Sequence, residues 1–152
     1  LQGLNPGEVQ AVVIAGMGGA TIRTILEECP EITNTVETFI LQPMNAASLV
    51  RKWAVANGYR IAEETLCREQ GRYYVIIRLA AGQESTVLSD FEAEIGPCIL
   101  HNKPPLWQEY LRQKAVYFQK VCTQMERSRT AFHSEKYQLL QSYCRRIEEV
   151  VS

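Results

Sequence analysis

Residues 10–19 read QAVVIAGMGG, an apolar run that ends in three closely spaced glycines. The length and β-branched content of the run predict a buried strand of the parallel type. A helix is expected to follow it up to residue 29, where Pro30 ends the pattern. Because ligands of open α/β sheets bind at the carboxyl ends of strands, the glycines predict a ligand-facing loop. The alternative is a tight strand-to-helix turn that needs a positive φ angle.

A second strand and helix follow the first pair. Residues 36–41, VETFIL, predict a strand, and apolar residues then recur at helical spacing as far as Ala54. The amides of Gln42 and Asn45 follow this strand as the glycines follow the first, so both loops are expected side by side at one sheet edge. An amide carries donors and an acceptor, which suits contact with a base edge. For Asn45 the alternative is a helix N-cap.

The next two strand-like runs cover residues 59–69 and 72–79, and Gln70-Gly71 joins them. Such a short connection can only join antiparallel neighbours. Parallel strands that end in an antiparallel hairpin predict a mixed sheet. The C-terminal half of a class I methyltransferase (Rossmann-like) sheet has this form, since its seventh strand inserts antiparallel beside the fifth. Glu63, Glu64 and Glu69 of the first run are interpreted as a solvated face, and the alternative is a catalytic carboxylate pair, which requires side chains that converge.

The charge distribution divides the chain near residue 102. Residues 1–102 carry a net charge of −5 and residues 103–152 a net charge of +4, which the overall value of −1 conceals. Two heptad stripes predict helices over residues 106–128 and 134–151 that form an antiparallel coiled coil. A basic helical hairpin is a candidate for contact with a polyanion, and a solvated helix surface is the alternative.

Composition argues against several other classes of protein. The five cysteines are scattered without C-x-x-C spacing, which indicates free thiols in the reducing cytoplasm. The two histidines are isolated, so a metal site is not expected. Neither a membrane span nor a signal peptide is predicted, because apolar runs are short and residues 1–8 lack a basic region and an apolar segment. No Lys-Ser/Thr follows the glycines, which argues against a P-loop.

Several motifs together resemble the bacterial tRNA adenine-N1 methyltransferases that act on adenine 22. They are residues 12–19, Ile22, Ile25 and Leu26, residues 39–43, residues 51–53, Glu64, Glu69, Gly71, Tyr74, Gly96 and Pro97. The C-terminal helical hairpin is similar to the coiled-coil appendage of that family. The match extends in order over essentially the whole chain.

The resemblance implies transfer of a methyl group from S-adenosylmethionine (SAM) to adenine N1 in tRNA. The residues it places at the catalytic centre are Gly16, Met17, Gly18, Gln42 and Asn45. Those it places beside the cofactor are Gln2, Gly3, Ala15, Gly16, Met17, Gly18 and Gly19. Those it assigns to the tRNA backbone are Lys114, Lys120, Arg127, Arg129, Lys136, Arg145 and Arg146.

The same resemblance sets a limit on the chain. The family is longer at its N-terminus, where its first strands hold the acidic SAM-binding loop. The chain is therefore expected to correspond to the C-terminal two-thirds of an enzyme and to be inactive alone. It is also expected to leave a sheet edge open at residues 10–15, where copies could associate.

Two other functions stay open for a sequence of this kind. One is a non-catalytic RNA-binding or assembly module that uses the basic hairpin. The other is a nucleotide-binding α/β enzyme that holds a phosphate at Gly18-Gly19.

Overall fold

The computed structural model describes residues 1–83 and 87–152, with every side chain in those ranges except that of Arg129. The chain forms two units, Leu1–Pro105 and Leu106–Ser152. The first unit is a mixed α/β domain and the second is a helical hairpin.

The first unit contains a four-stranded sheet in the order β1-β2-β4-β3. Its elements in chain order are β1 (Ala11–Met17), α1 (Gly19–Glu28), α2 (Pro30–Thr33), β2 (Thr38–Pro43), α3 (Ala47–Ala56), β3 (Tyr59–Glu69), β4 (Arg72–Ala81), α4 (Asp90–Ile95) and α5 (Pro97–Asn102). Strands β1 and β2 pair in parallel, whereas β4 pairs antiparallel with both β2 and β3. The mixed sheet with an inserted antiparallel last strand is thus confirmed.

Strand β1 is parallel as predicted, but it is not buried. Only Ile14 of its seven residues is excluded from solvent, and Val13 is 67% exposed. The reason is its place in the sheet: β1 pairs with β2 alone, so its other edge is open within the described residues. The expected open edge is therefore present.

The prediction for Glu64 is wrong, because this carboxylate is buried rather than solvated. The pairing of β3 with β4 shifts between Ile61 and Glu63, where a bulge adds one residue. Tyr59 and Ile61 face the core before the bulge, and Glu64 and Leu66 face it afterwards. Because a bulge reverses the inside–outside alternation of a strand, simple alternation from Tyr59 misses the burial.

Three short helices of the first unit, α2, α4 and α5, were not expected from the periodicity. Pro30 ends α1 and also begins α2, since proline is well suited to the first helical turn. Helix α4 begins with a capping box in which Ser89 and Glu92 satisfy each other's backbone N–H groups. The Ser-x-x-Glu spacing was the available sequence signal for this helix.

An aromatic cluster fills the core where α3 meets the sheet. The rings of Phe39 and Trp53 lie edge to face at 6.3 Å, and Trp53 stacks on Tyr59 at 5.7 Å. The buried Tyr59 hydroxyl lies 2.6 Å from the carbonyl of Thr33 and 2.7 Å from that of Val36. The cluster therefore joins α3 and β3 to the segment that leads into β2.

The second unit comprises α6 (Trp107–Met125), α7 (Arg129–Phe132) and α8 (Glu135–Val151). Tyr137 contacts Glu126 near the connection, and Cys144 contacts the Ala115 carbonyl farther along, so α6 and α8 run antiparallel. Of the predicted apolar stripes, six residues are buried: Leu111, Phe118, Tyr137, Leu140, Cys144 and Ile147. The other four, Trp107, Val121, Met125 and Val151, are partly exposed. Regular coiled-coil geometry stays a prediction.

None of the helices in the described ranges is both long and apolar enough to cross a membrane.

Candidate functional site

The two predicted loops meet at the carboxyl ends of β1 and β2. The Met44 N–H donates to the Met17 carbonyl at 2.8 Å, and the Gly19 N–H donates to the Asn45 carbonyl at 2.9 Å. These main-chain bonds fix the loop after β2 against the turn that leads into α1. The sequence prediction that Gly16–Gly19 and Gln42–Asn45 lie side by side is therefore confirmed.

Gly16 forms a bulge at the end of β1. Ala15 pairs with Gln42 and Met17 with Pro43, so Gly16 has no partner residue on β2. Its φ angle is +74°, a conformation that favours glycine, and a Cβ there would meet nothing within 4 Å. The backbone of Gly16 therefore faces open space.

Gly18 and Gly19 serve a different purpose, because the protein itself fills the space beside them. A Cβ on Gly19 would lie 2.3 Å from the Ala46 carbonyl oxygen. A Cβ on Gly18 would lie 3.0 Å from Asn45 Oδ1. These two glycines thus allow close approach of the loops. Only Gly16 of the three has the positive φ angle that a tight strand-to-helix turn would require.

The side chain of Gln42 bridges the two loops. Its Oε1 accepts a hydrogen bond from the Gly16 N–H at 2.8 Å, which satisfies the donor that the bulge leaves out of the ladder. Its Nε2 donates to the thioether sulfur of Met44 at 3.4 Å. Because sulfur is a weak acceptor, this second bond is the easier one to exchange for a ligand.

Asn45 does not cap α3, which corrects the alternative considered for it. The N-cap position is held by Ala46, in the left-handed conformation with φ +47°, and no side chain caps the helix. The Ala46 carbonyl accepts from the Leu49 N–H in the first helical turn, and the Asn45 carbonyl accepts from Gly19. The exposed Asn45 amide has no hydrogen-bond partner within the part of the chain that the structure describes.

The two loops carry no charged side chain, and two exposed methionines lie on them. Residues 10–22 and 38–50, which contain both loops, include no acidic, basic, histidine, cysteine or tyrosine residue. Met17 and Met44 are 42% and 37% exposed. Sequence reasoning singled out Met17 but not Met44, whose proximity depends on the pairing of two loops. A neutral, flat ligand suits these surroundings better than a phosphate.

Gln2 and Gly3 are not brought to these loops by any hydrogen bond among the described residues. Both are exposed in a turn. The following segment is anchored where Gly7 N–H donates to Thr35 Oγ1 at 2.9 Å, just before β2 begins. That anchor lies at the amino ends of the strands, opposite the glycine loop.

The basic residues predicted to contact RNA do not share one environment. Lys120, Arg127, Lys136, Arg145 and Arg146 are exposed. Lys114 is half-buried, and its Nζ lies 5.9 Å and 5.7 Å from the ring centroids of Tyr110 and Phe118. The side chain of Arg129 lies outside the described part.

No set of three histidine, cysteine, aspartate or glutamate side chains comes together as a metal site in the described ranges.

The chain is similar to one family of proteins along nearly its whole length. Over residues 1–149 it matches the family described as tRNA (adenine(22)-N(1))-methyltransferase, TrmK. A Bacillus subtilis (strain 168) protein named tRNA (adenine(22)-N(1))-methyltransferase is 28% identical over 152 residues, which are 97% of this chain and 63% of that protein.

Two similar solved structures contain the cofactor or its product. A Streptococcus pneumoniae protein in complex with S-adenosyl-L-methionine has a TM-score of 0.71 and 31% identity, over 94% of this chain and 60% of that one. TrmK of M. capricolum, in complex with S-adenosyl-homocysteine, has a TM-score of 0.68 and 25% identity, over 93% and 59%.

The chain spans about three fifths of the length of these relatives. The family match itself covers residues 1–149, from the first turn into the last helix of the hairpin. The chain therefore belongs to the tRNA (adenine(22)-N(1))-methyltransferase family.

Proposed function

We propose that this protein acts in SAM-dependent methylation of N1 of adenine 22 in tRNA. In this proposal the first unit supplies the surface that holds the adenine, and the helical hairpin contacts the tRNA backbone. The observation that carries it is the meeting of two loops without charged side chains, the Gly16 bulge and the Gln42–Asn45 loop. Family membership supplies the reaction.

The chemistry of N1 methylation fits a site without charged groups. The lone pair of adenine N1 forms a bond to the methyl carbon while the methyl–sulfur bond breaks and leaves its electron pair on sulfur. The adenine becomes cationic, and loss of an N6 proton to solvent restores its neutrality. Because the electrophile is already activated, the main task of the protein is to hold N1 in line with the methyl group.

SAM, when bound, supplies a methyl group on a sulfonium sulfur. The feature of this chain that fits it is Gly16, whose open side would let backbone approach the methyl-bearing end closely. The neighbouring Met17 would extend that wall. Gln2 and Gly3 have no comparable support, since no described hydrogen bond joins their turn to the glycine loop.

The target base must leave the stacked RNA helix to reach such a site. The exposed methionines Met17 and Met44 offer an apolar surface for a displaced base. A phosphate at Gly18-Gly19 fits less well, because the Gly19 N–H is already bonded to Asn45 and no basic side chain lies on either loop.

The exposed basic residues of the hairpin would contact phosphates of the tRNA. Such contacts position a substrate but do not select it. The exposed candidates are Lys120, Arg127, Lys136, Arg145 and Arg146, whereas Lys114 packs against aromatic rings.

Methyl transfer from radiolabelled SAM to a tRNA transcript tests the proposal. The protein expressed from its native reading frame should label a transcript with adenosine at position 22, and analysis of digested nucleosides should identify 1-methyladenosine. A transcript with guanosine at that position is the matched control. Equal labelling of both transcripts, or no labelling of either, would contradict the proposal.

We also infer that copies of the chain can associate through the open edge of β1. That edge offers main-chain donors and acceptors beside the exposed Val13. Sedimentation velocity of the native chain and of a Val13→Lys variant tests the inference, because a charge on this edge should prevent association.

A further inference from the structure

The two amides of the site are placed for different tasks. Gln42 has both ends of its amide engaged within the protein, by the Gly16 N–H and by the Met44 sulfur. Its oxygen is therefore committed to holding the bulge. Asn45, in contrast, is anchored by its main chain, since its carbonyl accepts from Gly19 at 2.9 Å. Its side-chain amide is exposed and has no partner among the described residues.

The glycine turn leaves room for the Asn45 amide. Asn45 Oδ1 lies where a side chain on Gly18 would begin, 3.0 Å from an ideal Cβ at that residue. The absence of a side chain at Gly18 thus gives the amide its room beside the glycine loop. The result is one exposed amide beside the glycine loop that can present an acceptor and a donor together.

An amide of this kind matches adenine at one edge of the base. Its oxygen can accept from the N6 amino group while its NH₂ donates to N7. This contact leaves N1 free, and N1 is the atom that must reach the methyl group. Guanine presents two acceptors, N7 and O6, at the same edge, so the amide oxygen would have no donor to pair with.

We propose that Asn45 selects the target base by contacting N6 and N7 of adenine, and that Gln42 is a positioning residue that holds the Gly16 bulge. This inference rests on the proposed function. It divides between two residues the recognition that the sequence assigned to both amides.

A single-atom change in the substrate tests the contact. A tRNA transcript with 7-deazaadenosine at position 22 lacks the N7 acceptor but keeps N1 and the amino group. For the native protein, kcat/KM should fall roughly tenfold on this substrate, the size expected for part of a bidentate base contact. For Asn45→Ala the two substrates should react at equal rates, because the donor to N7 is gone.

Matched variants separate selection from positioning. Asn45→Asp keeps an acceptor for N6 but loses the N7 donor, so it should also be insensitive to the 7-deaza change. Gln42→Ala should slow both substrates by the same factor and preserve the tenfold ratio. Gln42→Glu should recover part of that rate, since a carboxylate can still accept from the Gly16 N–H.

The possible failures are distinguishable. If the native protein methylates normal tRNA and the 7-deaza substrate equally well, or if Asn45→Ala retains the ratio, the Asn45 contact is wrong while the proposed function stands. If normal tRNA is not methylated at all, both the Asn45 contact and the proposed function are wrong. Circular dichroism and thermal unfolding of each variant verify that the fold is intact.

Discussion

The guanidinium of Arg51 and the carboxylate of Glu64 form an ion pair closed to solvent, with 2.6 Å between Nε and Oε1. Arg51 also donates to the carbonyls of Ala93 and Glu94 at the end of α4. The other oxygen of Glu64 accepts from the Cys98 N–H at 3.0 Å. One pair thereby joins α3, β3, α4 and α5, and it holds the helix that begins directly after the Asn45 loop.

Removing one partner of this pair should destabilise the domain strongly. Arg51→Met leaves the Glu64 carboxylate buried without its counter-charge, which should reduce the free energy of unfolding by about 3–5 kcal/mol. The matched control is Lys52→Met, because Lys52 and Asp90 are also 2.6 Å apart but 54% and 62% exposed. The control should lose at most about 1 kcal/mol. Urea denaturation measures both, and equal losses would contradict the assignment.

The glycines of the site should respond differently to alanine. Gly19→Ala places a methyl group against the Ala46 carbonyl, and such overpacking should cost about 1–3 kcal/mol. Gly16→Ala has open space and meets only the left-handed backbone penalty, about 1–2 kcal/mol. Because asparagine tolerates this conformation, Gly16→Asn should recover part of the second loss. Stability should therefore fall most for Gly19→Ala, less for Gly16→Ala and least for Gly16→Asn. Thermal unfolding of the three variants measures these losses, with Gly3→Ala as a neutral control.

The buried Tyr59 hydroxyl should make stability sensitive to alkali. Burial raises the pKa of Tyr59 above its ordinary value of 10.0. Below pH 10 the phenol is neutral in both the folded and the unfolded chain, so its hydrogen bonds contribute fully to stability. Above it the unfolded chain ionises first, and stability falls as the pH rises.

Tyr59→Phe provides the measurement. At pH 7 the variant should be less stable by about 1–3 kcal/mol, because the carbonyls of Thr33 and Val36 lose their buried donor. Its stability should then depend less on pH than that of the native protein between pH 10 and 11. Denaturation curves across this range give the free energy of unfolding of both proteins. An equal dependence on pH in the two proteins would be inconsistent with a buried neutral phenol.

The sequence was informative about the order and orientation of the strands, and less informative about bulges and other local irregularities. The short connection at Gln70-Gly71 was sufficient to predict the antiparallel hairpin. The burial of Glu64 was missed because one bulge in β3 changes which face each later residue occupies. The bulge leaves a signal in the sequence, because the apolar residues Ile61 and Leu66 would lie on opposite faces of a regular strand.

The candidate site was predictable as a location but not as a set of contacts. Strand order alone places both loops at one edge. The hydrogen bond from Gly16 to Gln42 depends on the Gly16 bulge, and the loss of the Asn45 cap depends on the φ angle of Ala46. Such details arise from tertiary pairing and have no periodic signal.

The hairpin should contribute electrostatically to tRNA binding. Lys120→Ala with Arg127→Ala should weaken binding and lower the salt slope of log K by about 1 for each phosphate that the variant no longer neutralises. Lys114→Ala should instead affect stability, because its ammonium lies over the Tyr110 and Phe118 rings. Filter binding over a series of salt concentrations separates the two effects. Unchanged binding by the double variant would remove these residues from the RNA interface.

The open edge of β1 should govern self-association of the chain. The strand pairs with β2 alone within the described residues, and Val13 is 67% exposed beside the unpaired edge. Val13→Lys places a charge on this surface, and lysines at exposed sheet edges discourage pairing with another chain. Sedimentation velocity at increasing concentration should show association of the native chain and a monomer for the variant. As a control, Val116→Lys alters an equally exposed residue of α6, 69% accessible, and should leave association unchanged. If that control abolishes association and Val13→Lys does not, the interface lies on the hairpin instead.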